Sequence, residues 1–163
     1  MEQKQILNII VGFVEREIKL VSALLDVLRQ EYAAMANNEL PALETQVNKK
    51  QELVKNIQEN EQNFARQMEN TGISLDQQGI NTALEGVDPR VKQKVIAFWD
   101  ELRDLAEECQ RQNEINGRVL EINKINTQRL LNILRGQMPE TQTTYGPSGK
   151  TNSKSESKSL VQV

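Results

Sequence analysis

Few residues in this 163-residue chain could make or break bonds, and their spacing is wrong for it. There is no histidine, so neither a histidine-assisted nucleophile nor a histidine metal site can be assembled. The single cysteine, Cys109, excludes an internal disulfide and any paired-thiolate zinc motif. Gly72, Gly79 and Gly86 lie too far apart for a phosphate-cradling loop, and no Lys-Ser/Thr pair follows them. Pairs such as Glu15/Lys19 and Asp100/Arg103 have the spacing that stabilises a helix surface by roughly 0.2–0.5 kcal/mol each. No catalytic constellation and no cofactor site is expected. What remains is hydrogen bonding and apolar contact, concentrated in "NEINGRVLEINKINTQRLLNILRG", residues 113–136. There Gln112, Asn116, Asn123 and Asn126 fall at the steps where a coiled-coil helix places Leu or Ile. Leu130, Leu131, Ile133 and Leu134 then close the stretch with a dense apolar end.

Two readings of the amides are open. They are either polar layers inside a bundle, fixing register at a cost in stability, or side chains left uncovered for a partner's polar groups. Cys109 lies on the same stripe and reads as a small buried apolar residue. Of the adjacent Phe98 and Trp99, only one can point at the centre of the stripe; Phe98 fits it, and Trp99 should flank it over a neighbouring helix.

The elements that carry these residues are long helices. From 3 to 36, Leu7, Val11, Val14, Ile18, Val21, Leu25, Leu28, Tyr32 and Met35 follow alternating steps of four and three. Beside them runs a second stripe from Ile6 and Ile10 to Val27 and Ala34, interrupted at Glu17 and Glu31. Two stripes make a wide face, so this helix should touch two partners and act as the spine. "NNELPAL" breaks it, with Pro41 suited to a first helical turn. A second helix, about 40–70, has the thinner stripe Leu43, Val47, Val54, Ile57, Phe64 and Met68, interrupted at Lys50 and Glu61. Residues 71–87 contain Gly72, Gly79 and Gly86 and should fold back through Ile73, Leu75, Ile80 and Leu84. Asp88 and Pro89 open the third helix, 88–135, as N-cap and first helical residue. Its stripe begins at Val91, Val95 and Phe98, and Gly136 ends it. After that the composition turns to Ser, Thr and Lys, as in a disordered tail, 137–163.

Composition agrees with this all-α reading. Hydrophobic residues make up 37%, aromatics 4% and charged residues 26%, a profile of narrow apolar stripes rather than sheets. A net charge of -3 with evenly spread Lys and Arg argues against nucleic acid as a partner. The N-terminal "MEQKQILNIIVGFVEREIK" has no small-residue cleavage site, and its apolar run from Ile9 to Val14 cannot span a bilayer. A cytoplasmic protein without stable membrane insertion is expected, with residues 1–136 as a helical bundle and 137–163 as its tail.

At ~1.5 Å per residue the first two helices span roughly 50 Å each and the third roughly 70 Å. Roughly 20 Å of the third helix, about 120–135, therefore has no match in the other two. Leu130, Leu131, Ile133 and Leu134 on that stretch form an apolar patch that implies a partner. Gly117 is a possible weak point at its root.

The wide-faced first helix, the stretch "QNEINGRVLEINKINTQRLLNIL", the following Tyr145-Gly146-Pro147-x-Gly149 and the polar tail together resemble the FlgN-type flagellar export chaperones, over roughly 3–150. The resemblance implies an elongated, antiparallel three-helix bundle with a long third helix. It implies a helper that binds the C-terminal helical segments of hook–filament junction proteins, prevents their premature assembly and delivers them to the export gate. On that reading Val119, Asn123, Asn126, Leu130, Leu131, Ile133 and Leu134 form the cargo face, and Tyr145 contacts the export gate. A monomer or weak homodimer suits that role; the rival is a coiled-coil scaffold or homodimerising adaptor whose third helix pairs with its own copy.

Overall fold

The computed structural model describes residues 3–73, 79 and 82–136. Three long helices carry the fold: α1 (Gln3–Ala36), α2 (Leu40–Glu69) and α3 (Pro89–Leu134). The expected tail, with Tyr145, lies outside the described residues, as do Leu75 and Ile80 of the connection.

The breaks follow local chemistry. Asn38 takes a left-handed φ of 55°, a conformation Asn tolerates better than most residues, and Pro41 sits in the first turn of α2. Asp88 caps α3 by accepting the Arg90 backbone N–H at 2.8 Å, as the Asp-Pro pair predicts. Gly136, with φ 72°, receives the end of the helix by donating to the Ile133 carbonyl at 3.0 Å. Gly117 lies within an unbroken helix.

The chain divides into two compact units, Met1–Glu121 and Ile122–Val163. In the first, chain direction can be read from individual bonds. Cys109 reaches the Val21 carbonyl and Asn116 the Leu28 carbonyl, both across 88 residues, so α1 and α3 run parallel in fixed register. α2 runs the other way: Lys50 meets Glu31, Asn60 meets Glu17, and Phe64 stacks on Phe13 at 4.0 Å between ring centres. The result is an up-down-up, all-α bundle.

Its core has two parts. Ile6, Ile10, Val14, Phe64, Met68, Leu84 and Val95 form one, flanked by the half-buried Phe98 and Trp99. Val21, Leu25, Leu28 and Cys109 form the other. α1 contributes three buried apolar residues to each, more than any other helix, which makes it the spine. Its buried face draws on both stripes. Trp99 tilts against Phe13 at 6.1 Å, covering its neighbour as expected. Val91 and Val54, read as stripe residues, are instead exposed, at 37% and 39%.

The stripe interruptions are not defects. Glu31 of α1 and Lys50 of α2, each a break in its own stripe, form a 2.5 Å ion pair. Glu17 is buried and accepts from Asn60 Nδ2 at 2.6 Å. Glu17, Glu31 and Lys50 thus find partners on another helix, as a buried polar group requires, whereas Glu61 is exposed.

Candidate functional site

The amides of α3 divide between the two readings. Asn116 is buried and fully engaged. Its Nδ2 donates to the Leu28 carbonyl and to Glu31, both at 2.8 Å, and its Oδ1 accepts from Gln112 Nε2 at 3.0 Å. With Lys50 on the other oxygen of Glu31, this cluster ties all three helices together at one level. Asn116 and Gln112 are therefore register-fixing residues of the bundle. Asn123 is half-buried and Asn126 exposed.

The predicted apolar contacts are placed as follows. Val119 is half-buried. Leu130 is 61% exposed, Leu131 39%, Ile133 59% and Leu134 83%. Two hydrogen bonds in this last part of α3 are local: Thr127 donates to the Asn123 carbonyl at 2.9 Å and Gln128 to Asn132 at 3.1 Å. Large side chains exposed on consecutive turns are unusual on a surface with no binding role.

The sequence reading did not single out three further large apolar residues of α3. Leu120, Ile122 and Ile125 are also exposed, at 58%, 57% and 42%. All three stand in the quoted stretch, but off the four-three stripe. The available signal was their size on a helix otherwise flanked by polar residues.

The chemistry elsewhere is sparse. Burial pushes the Cys109 thiol above its usual range, Glu108 adds to this and Arg29 opposes it, so the thiol stays protonated and packs as core. Burial likewise raises the Glu17 carboxyl, against its bond from Asn60 and with a contribution from Glu61. An open groove of about 420 Å³ runs between α1 and α2 over the Phe13–Phe64 stack; among its lining residues only Arg16 is charged, so it offers no acid–base pair. Among the described residues no acidic or thiol cluster is placed to hold a metal, and no helix is long and apolar enough to cross a membrane.

Comparison with known proteins agrees with the helical architecture. The family model described as FlgN protein matches residues 1–153. A crystal structure from Pseudomonas aeruginosa, of a protein bearing the name flagella synthesis protein FlgN, is similar at 32% identity with a TM-score of 0.60. That similarity covers 78% of this chain and 96% of the other. No curated protein matches.

Proposed function

The chain belongs to the FlgN family, and from that premise we propose that it is a cytoplasmic flagellar export chaperone that binds the C-terminal helical segments of hook–filament junction proteins. One observation carries the reading: Leu130, Leu131, Ile133 and Leu134 are exposed together on the last turns of a long helix. A segment built to pack inside a filament is amphipathic and adhesive before assembly. An apolar helix face that also carries amides covers such a segment in the helix-in-groove manner. Asn123 and Asn126 then orient the bound segment by satisfying its polar groups, and Val119 extends the contact.

Tyr145, in the segment after α3, is assigned to contact with the export gate. Holding cargo on α3 and touching the gate through a separate aromatic lets one chain protect and deliver in sequence.

The deciding experiment measures binding of a junction protein's C-terminal segment to the full chain and to its Leu131→Asp variant. Binding should weaken by roughly 2 kcal/mol or more, as at an interface hot spot. Tyr145→Ala should leave that affinity unchanged and reduce secretion of the junction protein in flagellated cells. Unchanged cargo affinity in Leu131→Asp would refute the site. A tight homodimer that Leu131→Asp dissociates would favour the scaffold reading instead.

A further inference from the structure

The charge on the last turns of α3 differs from that of the chain. Between Ile122 and Arg135 stand three basic residues, Lys124, Arg129 and Arg135, and no acidic one. The whole chain carries -3. At about 100° per residue, Ile122, Ile133, Leu130, Leu134 and Leu131 fill an arc of roughly 180°, with Asn126 and Asn123 inside it. Arg129 lies just outside the Ile122 border, and Lys124 and Arg135 just outside the Leu131 border. All three basic residues are exposed. The apolar face is thus edged with positive charge on both sides.

We propose that this face takes an amphipathic helix of another protein whose own apolar stripe is edged by Asp or Glu, so that carboxylates meet Arg129 on one border and Arg135 on the other. The inference rests on the chaperone reading and adds to it the charge pattern of the partner. Complementary rim charges set orientation and speed encounter more than they raise affinity. Edges of one sign on both sides therefore select the partner's borders without fixing its direction, and the amides inside the arc are left to choose it.

Two other occupants fit less well. A second copy would bring basic edges together with no carboxylate between Ile122 and Arg135 to offset them. An anionic membrane surface also attracts basic amphipathic helices. It would, however, place Asn123 and Asn126 among acyl chains, where their amides find few partners; a protein partner can pair them.

Three designed peptides test this, each with the same Leu/Ile stripe and with Glu, Gln or Lys at the border positions. Their binding to the full-length chain is followed by fluorescence anisotropy across a range of NaCl concentrations. The Glu-bordered peptide should bind at least about tenfold more tightly than the Lys-bordered one at low salt, and the gap should close at high salt as screening shortens the range of the charges. Arg129→Glu combined with Arg135→Glu should reverse the order, with circular dichroism checking that the helices persist. Should that double variant fail to fold, Arg129→Gln alone should narrow the gap about threefold. Equal binding of all three peptides would overturn the charge inference and leave the chaperone reading standing. Tighter binding to phosphatidylglycerol vesicles than to any peptide would overturn it in favour of a membrane. If the Gln-bordered peptide binds Leu131→Asp as well as the unaltered chain, both the inference and the cargo site beneath it fail.

Discussion

Asn116 and Asn123 stand one heptad apart on the same stripe of α3, and they differ in almost everything but residue type. Asn116 is buried, bonded to Leu28, Glu31 and Gln112, and joins the level at which three helices meet. Asn123 is half-buried, with its neighbour Asn126 exposed. Heptad spacing records which way a side chain points along a helix. It does not record whether anything lies opposite. The same residue type is thus buried and bonded in one unit of the molecule and partly exposed in the other.

The largest test of this contrast compares leucines. Leu25 is 4% exposed in the second core cluster, so Leu25→Ala should lower unfolding free energy by about 2–5 kcal/mol. Leu131→Asp, at a site already 39% exposed, should stay within about 0.5 kcal/mol of the unaltered protein. Urea unfolding of both variants checks the pair. Unfolding caused by Leu131→Asp would make the end of α3 part of the core and erase the difference between the units.

The amides themselves provide the next test. Asn116→Ala removes two donated bonds and leaves the buried Glu31 with Lys50 as its described partner, a loss of about 1–3 kcal/mol. Asn123→Ala should change stability by no more than about 0.5 kcal/mol. A double-mutant cycle between Asn116 and Glu31 should give a coupling energy clearly above zero, because the two share one network. A cycle that sums to zero would mean the cluster does not hold the three helices in register.

These residues also mark where sequence reasoning reached its limit. The helices, their order, the Asp88-Pro89 start and the Gly136 stop were legible because each depends on residues within a turn or two. The spine role of α1 was legible from the width of its apolar face. Glu17, Glu31 and Lys50 were visible only as interruptions, since their partners lie 19 to 85 residues away and no local pattern encodes such a pairing. Leu120, Ile122 and Ile125 were overlooked for a related reason: a stripe drawn at steps of four and three omits apolar residues that flank it. Exposure is a property of the assembled bundle, and it separates Asn116 from Asn126 where sequence position does not.

Glu17 sharpens the contrast through pH. Burial raises its carboxyl pKa in the folded state above the unfolded value, so the folded chain holds the proton more tightly. Stability contributed by this group is therefore present below the usual carboxylate pKa and falls as pH rises through the window up to the raised value. Glu17→Gln keeps an oxygen that can accept from Asn60 and removes the titration. The variant should gain stability relative to the unaltered chain as pH goes from 4 to 7. A difference between the two that stays flat across that range would show that Glu17 is not held in its protonated form by the fold.

The smallest expected effect belongs to Gly117, one residue after the buried amide. Gly117 lies inside α3 without a positive φ, and a β-carbon added there meets nothing within 4 Å. A glycine at such a position costs helix stability through the freedom it allows the unfolded chain. Gly117→Ala should therefore raise stability by about 0.5–1 kcal/mol without disturbing packing. Hydrogen exchange locates the gain. If the last turns of α3 fray separately from the bundle, amides from Gly117 to Leu134 should slow while those around Leu25 and Leu28 exchange as before. If exchange slows equally in α1 and α3, the end of the helix opens only with the whole bundle. The distinction drawn between Asn116 and Asn123 would then be one of exposure alone and not of local stability.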